Sequence, residues 1–281
     1  MKDFLQITRT EINVGLKREY RFFQISDAHI AYIDEKSSEI DVADNSRSHN
    51  QWDTLKLDFA RQFGEHFDEK YKKEAHVLLE TLMAHALSLD VDVVIFSGDI
   101  MDRVTESNIR YLKDKLSKFP KKVIYCPGNH AYNDEFGKKR NMYERFSGLI
   151  DNPEFDCFEC DEINIVTIDN GTKKITEKQL EKLKRELSKS KKILLVLHAP
   201  IKLGAFGKIM GEKLGDYFLL SEADGDNAKE LIKIIKENDD HFIAVLAGHI
   251  HGEIEYPITE KLMQYTTSSA LIGKGREIII K

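Results

Sequence analysis

The sequence predicts an α/β fold, and three observations carry that expectation. Short apolar runs alternate with stretches whose apolar residues recur at helical spacing, the pattern of layered strands and helices. The runs are short: "ILLVL" (193–197) is among the longest and falls far below a bilayer span. The 281 residues, 41% hydrophobic and 32% charged, suffice for a sizeable core under a soluble surface.

Along the chain, "YRFFQIS" (20–26) is the first strand, apolar and aromatic. The segment 31–75 departs from the rhythm. It is charged and aromatic, and its "QWDTLKLDFARQFGEHF" (51–67) is helical in period and holds the single Trp. "EAHVLLETLMAHALSL" (74–89) has the apolar spacing of a helix. "VDVVIFS" (91–97) reads as a strand, "NIRYLKDKLSKF" (108–119) as a helix and "KVIYCP" (122–127) as a strand. A strand "INIVTID" (163–169), a helix "TEKQLEKLKRELSKS" (176–190) and a strand "KILLVLH" (192–198) follow. Residues 201–225 form the second departure, Gly-rich and irregular. The helix "DNAKELIKIIKEN" (226–238), the strand "FIAVLAG" (242–248) and strands in the tail "KLMQYTTSSALIGKGREIIIK" complete the order. With only 5 prolines, no repeat and no Gly/Pro-rich linker, a single domain over 1–281 is expected. Its insertions lie at about 31–75 and 201–225.

Acidic residues outnumber basic ones, 48 to 42, for a formal net charge of -6. Long nucleic acid is therefore not an expected partner, and neither is a membrane. The start "MKDFLQITRTEIN" lacks the apolar core of a signal peptide, so a cytoplasmic protein is expected. The 3 cysteines, Cys126, Cys157 and Cys160, cannot supply two thiolate pairs for a structural zinc. Those of "CFEC" are read as packed or partly exposed thiols near a strand start.

The stretch "VDVVIFSGDIMDR" (91–103) ends an apolar strand on Asp99, Asp102 and Arg103. Unpaired charges there are costly. Either an Asp caps the next helix, or something binds. The other strand ends decide. Asp27 and His29 end one run, Asn129 and His130 another, His198 a fourth, and His249 and His251 a fifth. Of the 10 histidines, half stand in these positions. Strands side by side in one sheet would gather them into a pocket of imidazoles and carboxylates without thiolates. Such N/O ligands suit Mn, Fe or Zn rather than Ca or Mg. In a turn after a strand, both rings of H-x-H can point inward. Seven candidate ligands exceed one tetrahedral zinc and suffice for two metals sharing a carboxylate.

The ordered set D-x-H, G-D-x-x-D-R, G-N-H, H-x-P and G-H-x-H resembles the calcineurin-like metallophosphoesterase superfamily, from about Ser26 to the C-terminus outside the two irregular segments. The resemblance implies an αβ sandwich of two mixed β-sheets flanked by helices, with a dinuclear centre at the sheet edge. It implies two divalent metal ions: Mn, Fe or Zn. Asp27, His29 and His251 would hold the first, Asn129, His198 and His249 the second, and Asp99 would bridge both. Asp102 would pair with His130, and Arg103 would contact a substrate phosphate or simply lie at the surface. The implied reaction is hydrolysis of a phosphomonoester or phosphodiester by a hydroxide bridging the metals, with His130 assisting the leaving oxygen. The expected partner is a small or medium phosphorylated substrate. Two other readings stay open, a non-catalytic metal-binding scaffold on the same fold and a nuclease of the same superfamily. The chain departs from the family at Ala131, where Asp or Glu usually follows G-N-H, and at Val104, where the Ser/Thr phosphatase branch has Gly. Trp52, Phe206, Tyr217 and Phe218, from the two insertions, would either stack on a planar substrate group or pack the insertions down.

Overall fold

A computed structural model describes residues 4–64, 74–132, 142–146 and 148–281. They form two mixed sheets with helices outside, as the resemblance implies. The first sheet has the order β1 (Gln6–Ile12), β11 (Lys274–Ile280), β2 (Tyr20–Ile25), β3 (Val93–Ser97), β4 (Lys122–Cys126). The second runs β5 (Phe155–Glu159), β6 (Ile163–Ile168), β7 (Lys192–Val196), β8 (Phe242–Ala247), β10 (Met263–Thr266), β9 (Ile254–Pro257). The helices are α1 (Glu39–Gln62), α2 (Ala75–Ser88), α3 (Glu106–Lys118), the short α4 (Met142–Arg145), α5 (Glu177–Leu187), α6 (Gly204–Leu214) and α7 (Asp226–Glu237).

Successive side chains of a strand face opposite ways. Phe22, Ile95, Ile124, Ile165, Val196 and Leu246 from both sheets therefore share one inner core. Their neighbours Phe23, Val94 and Phe96 face α2 and α3, while Val166, Leu195 and Val245 face α5 and α7. With both faces covered, β3, β7 and β8 are apolar at nearly every position, so they stand out as continuous runs in the sequence. Thr105 and Thr176 cap α3 and α5, the latter in a capping box with Gln179.

Three strands escaped the sequence reading: β1, β5 and β9. All three are sheet edges with mixed exposure, so no continuous apolar run marks them. Cys157 lies inside β5, and burial followed by the Glu186 carboxylate pushes its thiol up to about 12.

Both irregular segments turn out more helical than expected. Helix α1 begins at Glu39, well before the predicted stretch at 51–67; residues 65–73 lie outside the described residues. Its early turns lack an apolar stripe because they bury Asp41, Asp44, Asn45 and Ser48. Asn45 Nδ2, for example, donates to Tyr32 O at 2.7 Å and to Ser107 Oγ at 3.0 Å. Residues 201–225 hold α6 and two 3-10 turns, at Asp216–Phe218 and Glu222–Asp224. Phe206, Met210 and Leu219 pack there against Ile250. Within α6, Gly207 lets the Lys202 stem pack close, because a Cβ there would meet Lys202 Cγ at 2.6 Å. Among the described residues, no helix is long and apolar enough to cross a membrane.

Candidate metal centre

The candidate residues follow the C-terminal ends of five strands. β2, β3 and β4 run parallel in the first sheet, and β7 and β8 run parallel in the second. The ends therefore meet across the sandwich rather than side by side in one sheet, which corrects the simplest sequence picture. The backbone turns sharply at each end. Seven described non-glycine residues have positive φ, and five of them are Asp27, His29, Asp99, His249 and His251. Such conformations are costly and gather at functional sites. They also let His249 and His251, two residues apart, turn into one pocket.

The gathered side chains fall into groups whose ligand atoms lie within 4.8 Å of one another: Asp27, His29 and His251 form one, and Asp99, His198 and His249 another. Asn129 joins the second, its Oδ1 lying 3.0 Å from His198 Nε2.

In both groups a carboxylate is fixed at one oxygen and presents the other. Asp27 Oδ2 accepts from Ser26 Oγ at 2.5 Å and from His249 N at 2.9 Å. Its Oδ1, buried without a hydrogen-bond donor, lies 3.3 Å from His251 Nε2 and 3.8 Å from His29 Nε2. Asp99 Oδ1 accepts from His130 N at 2.9 Å, and Oδ2 lies 3.0 Å from His198 Nε2. The imidazole tautomers follow from their partners. His29 Nδ1 faces Asp102 Oδ1 at 3.1 Å and His198 Nδ1 faces Ser97 O at 2.9 Å. Both partners only accept, so both Nδ1 atoms donate and both Nε2 lone pairs turn inward. There His198 Nε2 meets two acceptors, Asn129 Oδ1 and Asp99 Oδ2, at 3.0 Å each, and His29 Nε2 lies 3.1 Å from His251 Nε2. Lone pairs so placed repel unless a cation stands between them. Two nitrogens bound at about 2.0–2.1 Å to one ion lie roughly 2.9–3.4 Å apart, so this spacing fits a shared metal. Without a metal, a proton must serve. Burial disfavours it on His198, but the Asp99 and Asp27 carboxylates and the Ser97 carbonyl together outweigh burial and raise the pKa to about 9.

The motif glycines make room for these side chains. A Cβ at Gly128 would meet Asp99 Oδ1 at 2.1 Å, and one at Gly248 would meet Ser26 Oγ at 1.8 Å. At Gly98, where φ is +103°, it would lie 1.9 Å from His198 Nδ1. Gly98→Ala is accordingly expected to displace His198, lose metal and lower the melting temperature. Gly15→Ala is the control. Gly15 has φ +77° with open space around it, so only backbone strain of about 1–2 kcal/mol should appear, with metal content intact. Metal analysis and thermal melts of the two variants check this.

Asp102 is the hub that sequence reasoning half saw. It does not cap α3, since Thr105 does. Its Oδ1 lies 2.8 Å from His130 Nδ1, as the resemblance implies. The same oxygen also meets His29 Nδ1 and accepts from Trp52 Nε1 at 2.6 Å, while Oδ2 accepts from Ser48 Oγ. His29, Asp102 and His130 also form a metal-sized group. Donors already engage both Asp102 oxygens, so this group reads as support. The Trp52 indole lies against the rings of His29 and His251, at 4.0 and 5.1 Å between centroids. Trp52 therefore packs the insertion onto the centre, and buried Phe206 packs as well. Phe218 lies 5.1 Å from the His249 ring, and Tyr217 is 65% exposed. Both insertions thus reach the centre. Burial would lower the pKa of His130, but the Asp99 and Asp102 carboxylates outweigh it and raise it to about 9. Arg103 is half-buried, and its buried Nε has no hydrogen-bond partner.

Two supports were missed although "TIDN" also ends a strand. Asn170 Oδ1 accepts from His198 N at 2.8 Å and Ala199 N at 3.0 Å, which fixes the H-x-P turn. Asp169 Oδ2 accepts from the Tyr132 hydroxyl and so ties the G-N-H turn to β6. Beside it, Ala131 packs on the core of the first sheet.

The calcineurin-like phosphoesterase family profile matches residues 20–253. A "Probable cyclic nucleotide phosphodiesterase" of Vesicomyosocius okutanii subsp. Calyptogena okutanii (strain HA) is 26% identical over 195 residues, 67% of this chain and 76% of its own length. A "Probable glycerophosphodiester phosphodiesterase" of Arcobacter nitrofigilis is 24% identical over 212 residues, 70% of this chain and 71% of its own. The fold is similar to that of a dimetal phosphatase from Danio rerio, with a TM-score of 0.53 and 14% identity over 90% of this chain and 88% of that one.

Proposed function

The chain belongs to the calcineurin-like phosphoesterase family, and from that premise we propose that it hydrolyses a phosphodiester of small or medium size at two divalent metal ions. The observation that carries this reading is the convergence of imidazole lone pairs and singly anchored carboxylate oxygens in two adjacent groups. In it, Asp27, His29 and His251 would hold one ion, Asn129, His198 and His249 would hold the other, and Asp99 would serve both. The N/O donor set without thiolates suits Mn, Fe or Zn. Bound metal supplies Lewis-acid activation of water and screens the anionic phosphate.

The chain's own groups do the rest. Asp102 fixes His130 through Nδ1, which leaves Nε2 to give its proton to the leaving oxygen. A substrate meets His130 first: its side chain is 19% exposed, against 0% for His198 and 4% for His251. Arg103, whose buried Nε has no hydrogen-bond partner, is the candidate contact for a phosphate oxygen in this reading.

The names of the relatives favour a diester over a monoester. A metal-loaded sample offered an aryl diester and an aryl monoester is expected to prefer the diester in kcat/KM by about tenfold or more. Preference for the monoester would reverse the substrate class. Turnover of neither by protein carrying two ions would leave the scaffold reading.

A further inference from the structure

A cavity of about 510 Å3 opens beside the His198 and His249 group, lined by Lys173, Lys202, Tyr217, Ser221 and Asp224 among others. Small-ligand sites usually span about 300–1,000 Å3. Two walls tie it to the centre. On one side the Phe218 ring lies 5.1 Å from the His249 ring, and Tyr217 lies 6.4 Å from it. On the other, Lys173 N donates to Asn170 O at 2.8 Å, and Asn170 fixes the His198 backbone.

The lining is shaped, and its carboxylates outnumber its lysines: Asp216, Glu222 and Asp224 against Lys173 and Lys202. Lys173 is held at φ +59°, one of two positive-φ described residues other than glycine outside the candidate ligands. Its Nζ lies 3.0 Å from Asp224 Oδ1 and 5.6 Å from the Tyr217 ring centre. Lys202 Nζ lies 2.7 Å from Asp216 Oδ1. Each lysine is matched by a carboxylate, so the cavity does not select a second anionic group. Tyr217 stands out as the most exposed large apolar side chain among the described residues, held between Phe218 and Lys173. An exposed, braced aromatic beside a reaction centre is a stacking platform.

We propose that this cavity receives an uncharged planar group on the alcohol side of the phosphodiester, of the nucleobase class, stacked on Tyr217. The proposal rests on the phosphodiesterase reading. It assigns Tyr217 to specificity, with Lys173 and Phe218 keeping its ring in place.

Kinetics with a nucleoside cyclic phosphodiester and a glycerol phosphodiester test it. Tyr217→Ala should lower the selectivity for the nucleoside ester over the glycerol ester by about tenfold, the scale of one lost base stack. The change should lie in KM, and Tyr217→Phe should restore it. An unchanged selectivity ratio would overturn the proposal. Calorimetry with a free nucleoside reads the subsite without turnover. Binding to the wild type that Tyr217→Ala weakens supports the stack even in a protein that cleaves neither ester. No binding at millimolar nucleoside overturns the subsite whether or not phosphodiesters are cleaved.

Discussion

Asp99→Asn is expected to abolish activity and remove most of the bound metal. The argument is electrostatic. Asp99 is buried, receives the His130 amide on one oxygen and turns the other toward His198. Asparagine keeps an acceptor for the amide and the same shape, so the fold should persist. What it loses is the negative charge that two cations would share. Burying cations beside a neutral amide leaves their desolvation uncompensated. Metal content by mass spectrometry and circular dichroism of the same sample check the outcome. A folded variant with near-normal metal would defeat the bridging role of Asp99.

His130→Ala is expected to keep its metals and lose turnover by roughly 10²–10⁴-fold, the usual scale for a general acid or base. The polar side-chain contact of His130 is with Asp102; its ring lies 4.5 Å from that of His29, but it belongs to neither candidate ligand group. Loss of metal in this variant would make it a ligand and overturn the assignment. Asp102→Asn should differ in kind. Asp102 also sets the tautomer of His29 and holds Trp52 over it, so metal affinity should fall by about 10–100-fold, as such supporting contacts typically do.

The parts of the fold that were legible in the sequence were those buried on both faces. β3, β7 and β8 read as apolar runs because a helix layer covers one side and the opposite sheet the other. Edge strands β1, β5 and β9 carried no such signal. Helix α1 was half legible, because its early face packs through Asn45 and Ser48 rather than an apolar stripe. The candidate ligands were legible because each follows an apolar run, and their order carried the family. Their tautomers were not, since Ser97 O and Asp102 come from elsewhere in the chain. The second role of Asp102, toward His29 and Trp52, depends on where α1 crosses the strand ends, and local sequence does not encode that. Asp169 and Asn170 obeyed the same strand-end rule as the ligands, and could have been found by applying it once more.

Anomalous diffraction from crystals of the metal-loaded protein tests the central claim most directly. Two peaks are expected. One should lie about 2.0–2.2 Å from ligand atoms of Asp27, His29 and His251, and the other at that distance from Asn129, His198 and His249, with Asp99 reaching both. A single peak, or a peak held by Asp102 and His130, would contradict the account.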